Sequence, residues 1–346
     1  MLDVYIDWFT ASMSSDMKLT IQFTTKEKFM PYDPTFIVDH EIPLPIPSAR
    51  VLAASFGADY IHHSRHSLLF NQERGFAFIS AHNIDGASLS TAQFTNRDFD
   101  VDPNIQPASL QVDNNRGYRQ SRDGVFGPNP WDRGHLARRK SLSWGDEAAA
   151  SIAELESDLW SNIAPQHGNL HDDSWGKIED WMLEHVEKDG RRACVFTGPV
   201  FTEDDPEHIN GTNEVPIRIP AGFWKVITIN LNGAMRSAGF LVWQRDYDSE
   251  EPLPFEPVLE QVRLTTIEVL SGLTFPSLRL FDPLLFDQQG RRRDLSISSA
   301  RDNLRRRMIR PFEAARETDP ELHADLLIEA TSPGNAAIRS MRDIVL

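Results

Sequence analysis

The sequence predicts an α+β fold: a central antiparallel sheet flanked by helices, with a helical extension at the C-terminus. Three observations predict it. Apolar strand-like runs recur through the middle of the chain, at 66–70, 76–82, 193–201, 223–229 and 238–244. Between them, Trp175, Ile178, Met182 and Val186 recur at spacings of three and four, which puts one apolar face on a helix. After residue 290 the composition turns rich in arginine, and Leu304, Met308 and Phe312 again fall at helical spacing.

The elements follow in order. Lys18–Thr24 reads as a strand-like piece, and Ile42–Pro47 as an extended path because alternate prolines end regular structure. Residues 1–50 are therefore expected to form an extended N-terminal arm on a main domain of 51–290, with 291–346 as a basic helical extension. His66–Phe70 and Phe76–His82 form two strands joined by the polar turn Asn71–Gly75. Asp146–Glu156, dense in alanine and glutamate, favours helix, and Pro165 in Asn162–Gln166 stops it. Asp172, Asp173 and Ser174 are good caps ahead of the helix at 175–186. Ala193–Phe201 is an apolar strand containing a Gly-Pro turn, and Val262–Gly272 reads as a helix closed by glycine. Between 291 and 310 stand eight arginines against Asp294 and Asp302. That segment fits a helix docked by its apolar side, its arginines paired with the protein's own acids, or a helix that touches nucleic acid.

At 346 residues the chain can bury a large core, and 40% hydrophobic with 25% charged residues is ordinary for a globular protein. No run is long and apolar enough to cross a bilayer, and the N-terminus lacks a basic region ahead of an apolar one. The single cysteine, Cys194, excludes an intramolecular disulfide, so a cytoplasmic location is expected, with export by a signal-less route left open. The net charge of −16 has the wrong sign for coating a polyanion by bulk attraction. Phosphate chemistry in such a protein needs its positive charge to be local, from clustered arginines or a metal ion.

Chemistry concentrates in Trp131-Asp132-Arg133-Gly134-His135-Leu136-Ala137-Arg138-Arg139, a histidine flanked by arginines just after the turn-rich Gly127-Pro128-Asn129-Pro130. An imidazole beside fixed positive charge suits attack on an anion, with the histidine as proton acceptor and the arginine holding negative oxygens. Taken alone, these residues fit a surface turn with a solvated histidine equally well. Arg97, ahead of Asp102-Pro103, has a bland reading as partner of Asp98 or Asp100. His62, His63, His66 and His82 suggest a metal cluster, but their spacing fits strand or surface histidines better.

The combination resembles the DNA/RNA non-specific endonucleases, a family of ββα-metal nucleases. Asp132–His135 matches the family's Asp-Arg-Gly-His, and Asn162-Ile163-Ala164-Pro165-Gln166 its Asn-Ile-x-Pro-Gln. Trp175 and Glu179 match the tryptophan and glutamate that follow, and Thr197-Gly198-Pro199, Ile219-Pro220 and Phe223-Trp224-Lys225 match the family's core strands. The resemblance covers about residues 60–286. Separate motifs in the family's order and spacing outweigh the surface-turn reading.

The resemblance implies a ββα-metal catalytic motif that hydrolyses phosphodiester bonds of DNA and/or RNA with little sequence preference, leaving 5′-phosphates. It implies His135 as general base, Arg133 and Arg97 on the phosphate, Asn162 ordering the site, and Glu179 orienting metal-bound water. The family's metal-holding asparagine is replaced here by His171, eight residues before Glu179. One divalent ion, Mg²⁺ or Mn²⁺, is the expected cofactor, and the imidazole also admits other transition metals. Asn169 is the alternative oxygen donor. Expected partners are the nucleic acid, an inhibitor or activating protein, and a second copy of the chain, with no membrane. Two alternatives stay open: a nuclease-fold binding module with weakened or no catalysis, and a regulated effector nuclease of a bacterial defence or toxin system.

Overall fold

The computed structural model describes residues 29–91, 98–118, 129–170, 175–210, 215–244, 259–285, 336–338 and 341–345. In chain order, the strands are β1 (Ile46–Pro47), β2 (Ile61–His62), β3 (His66–Asn71), β4 (Phe76–Asp85), β5 (Trp131–His135), β6 (Ile163–His167), β7 (Arg192–Val200), β8 (Glu207–His208), β9 (Ile217–Arg218), β10 (Gly222–Leu231), β11 (Ala234–Trp243), β12 (Leu259–Val262), β13 (Leu273–Thr274) and β14 (Ala336–Ala337). The helices are α1 (Ala49–Ala54), α2 (Asn114–Gly117), α3 (Arg139–Leu142), α4 (Glu147–Ser157), α5 (Gly168–Leu170), α6 (Gly176–Lys188) and α7 (Leu264–Ser271).

Eight strands form the main sheet in the order β14-β12-β11-β10-β7-β4-β3-β2, with antiparallel neighbours throughout. The β3–β4 hairpin falls where the apolar runs and the polar turn predict it, and Gly75 takes the left-handed φ of 78° that closes it. Both faces of the sheet are covered, so its central strands are apolar on both sides. Side chains alternate: Leu68, Ile84, Val195, Phe223 and Phe240 belong to one core, and Leu69, Ala81, Cys194, Trp224 and Leu241 to the other. Cys194 is fully buried, and that burial pushes its thiol up to about 12.

The first core is roofed by α6 and by Trp131, Trp160 and Ile163 around the β5–β6 pair. Helix α6 contributes Ile178, Met182 and Val186, the residues whose spacing predicts it. Its proposed caps, Asp172, Asp173 and Ser174, lie outside the described residues, as do Lys18–Thr24 and the arginine-rich segment 291–310. The second core is roofed by α7 and by Tyr32, Phe36, Ile37 and Ile42, so residues ahead of 50 supply part of the interior. The Ile42–Pro47 path ends in β1, which pairs with β13.

Two elements differ from their sequence reading. The helix expected from 262 starts at Leu264, because Leu259–Val262 is taken into the sheet as β12 beside β11. It ends as expected, with Gly272 at φ 69°. The Asn162–Gln166 break is itself a strand edge: Pro165, without an amide proton, stands opposite Arg133 in the two-stranded β5–β6 sheet.

Candidate active site

The β5–β6 pair and α6 set the site. Along β5, Arg133, Gly134 and His135 face Pro165, Ala164 and Ile163 of β6. Gly134 is required by close approach: a Cβ there would stand 2.1 Å from Cδ and 2.3 Å from Cγ of buried Gln166.

Asn162 is fully buried and acts on backbone. Its amide donates to the carbonyls of Ala137 (3.0 Å) and Ser157 (2.9 Å), and its Oδ1 accepts from the Ala137 amide (2.9 Å). Its own carbonyl accepts from Leu136 N–H at 2.9 Å. The residue therefore fixes the chain directly after His135 and the end of α4. Next to it, Ser161 donates to Asp102 at 2.6 Å, and Asp102 meets His63 Nε2 at 3.0 Å. Burial alone would lower His63, but the Asp102 hydrogen bond and the charges of Asp102 and Glu156 outweigh it and raise the imidazole.

His135 is 18% exposed, and its Nε2 lies 2.8 Å from Oδ1 of buried Asp158. Oδ2 of Asp158 lies 3.4 Å from Arg139, whose Nε sits 3.0 Å from Glu154. Phe99 flanks the imidazole at 5.7 Å and stacks on Trp160 at 5.2 Å, which stacks on Tyr118 at 5.4 Å. The Arg133 guanidinium rests 4.5 Å over the Phe99 ring. Among the described residues, Arg133 has no carboxylate at ion-pair distance.

The link from β5 to α6 is Arg138. Its Nη1 bonds Asp180 at 2.7 Å and its Nε lies 3.6 Å from Glu179 Oε2. The other Glu179 oxygen accepts from Lys225 Nζ at 3.1 Å, and the same ammonium donates to Thr197 at 2.7 Å. Lys225 is fully buried on β10, 4.9 Å from the ring of Trp175. Burial lowers Lys225, and Glu179 partly offsets that. The Phe223-Trp224-Lys225 stretch, read from sequence as core alone, thus supplies a cation beneath the site.

Of the residues singled out from sequence, His135, Arg133, Asn162 and Glu179 lie within these connected elements. Arg97 and His171 lie outside the described residues, as does the side chain of Asn169. Among the described residues no group of three or more histidine, cysteine or carboxylate side chains is placed to hold a metal ion. His66 and His82 face one another on β3 and β4, fully buried. Sequence reasoning missed Asp158, Phe99 and Lys225, and gave Arg139 no carboxylate to hold. Asp158 carried one usable signal: it is an acid at the C-cap of α4, where the helix dipole disfavours negative charge unless cations meet it.

Residues 48–279 match the family model for DNA/RNA non-specific endonucleases. The chain is 34% identical over 230 residues to an uncharacterised protein, y4fB, of Sinorhizobium fredii, covering 63% of this chain and 33% of that protein. It is 32% identical over 145 residues to a nuclease of Serratia marcescens, covering 41% and 49%. It is 27% identical over 196 residues to mitochondrial endonuclease G of Bos taurus, covering 49% and 60%. The matches thus span between a third and three-fifths of these relatives' lengths. A solved structure of an EndoG/EndoGI complex aligns with a TM-score of 0.47 at 23% identity, covering 66% of this chain and 91% of that one. No helix of the described residues is long and apolar enough to cross a membrane. The Asp-Arg-Gly-His strand paired to Asn-Ile-Ala-Pro-Gln, inside a match over two-thirds of the chain, settles the kinship: the chain belongs to the DNA/RNA non-specific endonuclease family.

Proposed function

We propose that the protein is an endonuclease that hydrolyses phosphodiester bonds of DNA and/or RNA with little sequence preference, leaving 5′-phosphates. The observation that carries this reading is the pairing on β5 of a partly exposed His135 with Arg133, a guanidinium held on an aromatic ring and free of acidic partners among the described residues.

Neutral His135 takes a proton from water as the water oxygen attacks phosphorus. A new P–O bond forms, the bond to the 3′ oxygen breaks, and that oxygen takes a proton from water. Arg133, joined by Arg97 in this proposal, stabilises the charge that builds on the phosphoryl oxygens. Asn162 holds the His135 turn in place through its backbone bonds. Contacts to backbone phosphate rather than base edges account for weak sequence preference.

A divalent ion belongs to this proposal, and His171 would hold it. When bound, it neutralises charge at the scissile phosphate. Glu179 fits an outer role: a carboxylate has about four acceptor sites, and two are engaged by Lys225 and Arg138. The rest can orient water around the ion.

Plasmid digestion in Mg²⁺ or Mn²⁺ tests the reading. His135→Ala should abolish cleavage with an unchanged circular dichroism spectrum, and EDTA should stop the wild type. His171→Ala should lose activity, and His171→Asn should regain Mg²⁺-supported cleavage. Digestion by His135→Ala at the wild-type rate would remove the general-base assignment.

A further inference from the structure

We infer that Asp158, held by Arg139, is a positioning residue that fixes the tautomer of His135 and leaves Nδ1 as the proton-accepting atom. The inference rests on the general-base reading of His135 and names the device behind it. An ionised carboxylate is acceptor-only, so the 2.8 Å contact places the ring proton on Nε2 and the lone pair on Nδ1. Asp158 is buried, and its two oxygens are divided: Oδ1 faces His135 and Oδ2 faces Arg139 at 3.4 Å. Glu154 holds Arg139 from the other side at 3.0 Å, so the order runs imidazole, carboxylate, guanidinium, carboxylate.

The position itself is costly. Asp158 caps the C-terminus of α4, the negative end of that helix, and its neighbours in the chain do not compensate it. Its compensation comes from His135 on β5 and Arg139 on α3, two groups that the Asn162 bonds lock to the end of α4. A carboxylate placed against a helix dipole and bonded to the back of an imidazole matches the arrangement that orients catalytic histidines elsewhere.

Asp158→Asn is the discriminating change because Arg139 decides how the amide sits. A guanidinium can only donate, whereas an imidazole nitrogen can donate or accept. The Asn oxygen therefore turns to Arg139 and its NH₂ to Nε2, which moves the ring proton to Nδ1 and removes the base. Turnover on a plasmid substrate should fall by roughly 10²- to 10⁴-fold with KM nearly unchanged. Long-range ¹H–¹⁵N spectra of histidine-labelled protein, with His135 assigned by its loss in His135→Ala, read the tautomer directly. Wild type should show Nε2–H and Asp158→Asn should show Nδ1–H. Arg139→Gln in the Asp158→Asn background frees the amide to turn round, and should restore the Nε2–H form with part of kcat.

Nδ1–H in the wild type overturns the inference, whether or not any variant folds. So does wild-type kcat in Asp158→Asn, or a loss of activity that the double variant leaves uncorrected. Failure of the underlying reading looks different: the wild type would then digest no plasmid, or His135→Ala would digest it at the wild-type rate.

Discussion

The Lys225–Glu179 pair offers a quantitative test of how the site is held under its roof. Lys225→Met keeps the length of the side chain and its packing near Trp175 but deletes the ammonium. Glu179 would keep only Arg138, at 3.6 Å and half-buried, against the 3.1 Å partner it lost. Thr197 loses a 2.7 Å donor as well. Removing one member of a buried ion pair costs about 3–5 kcal/mol, and the remaining arginine places this case near the lower end, at about 3 kcal/mol. Lys225→Met with Glu179→Gln leaves neither charge stranded, so the double variant should cost less than the lysine change alone. Urea unfolding followed by both tryptophan fluorescence and circular dichroism, for wild type, both single variants and the double, closes a thermodynamic cycle. The coupling energy should exceed about 2 kcal/mol. Single costs that add to within about 0.5 kcal/mol would mean that the two groups stand side by side without energetic dependence, and the argument would fail.

Stability should fall on mild acidification. Burial holds His66 and His82 well below the ordinary histidine range, helped by the charges of His63, His82 and His135 for the first and Lys225 for the second. Below roughly pH 6.5 the unfolded chain takes up protons that these two folded imidazoles refuse, so their contribution is full above that pH and shrinks beneath it. From pH 7 to 5.5 the pair should lose stability, on the order of 1 kcal/mol for each imidazole that stays neutral when folded. His63, raised by Asp102, has the opposite sign, and its stabilisation is kept on the acid side and lost as pH rises. Urea midpoints at the two pH values should show the loss, and His82→Asn should remove about half of it; an unchanged slope in the variant would assign the effect to other groups. Gly134→Ala should destabilise by about 1–3 kcal/mol through displacement of Gln166, and should reduce kcat because the displaced strand carries Arg133 and His135. A variant with wild-type melting and turnover would show that the β5–β6 spacing is softer than the 2.1 Å approach implies.

Much of the fold is legible because its signals are local. The spacing of Ile178, Met182 and Val186 announces α6, and the apolar runs of β3, β4, β7, β10 and β11 announce the sheet. The runs lack clean alternation because both faces are buried, so sequence identifies strands without saying which residue faces which core. Other elements carry no local signal. Strand β14 is two alanines whose strand character comes from pairing with Glu260 and Gln261, more than seventy residues away. Gln261 also brackets the backbone of Val345 at 2.8 Å in both directions. Likewise β12 was hidden in a stretch that continues smoothly into a helix.

The site divides along the same physical line. Groups that meet solvent or substrate fall in short motifs, whereas the groups that hold them come from distant strands and are invisible to spacing. Arg133 and Arg138 illustrate the point, since the two arginines stand five residues apart on either side of His135. The fold separates them. Arg138 is committed to Glu179 and Asp180, and Arg139 to Glu154 and Asp158, while Arg133 lies on Phe99. In a chain of net charge −16, the Arg138 and Arg139 cations are met by internal acids. A guanidinium kept on an aromatic face retains its charge for an incoming anion, because a ring quadrupole attracts the cation without cancelling it. Bulk charge is therefore a poor guide to the proposed phosphate capture: among the described residues, the fold leaves Arg133, two residues from His135, without a carboxylate at ion-pair distance.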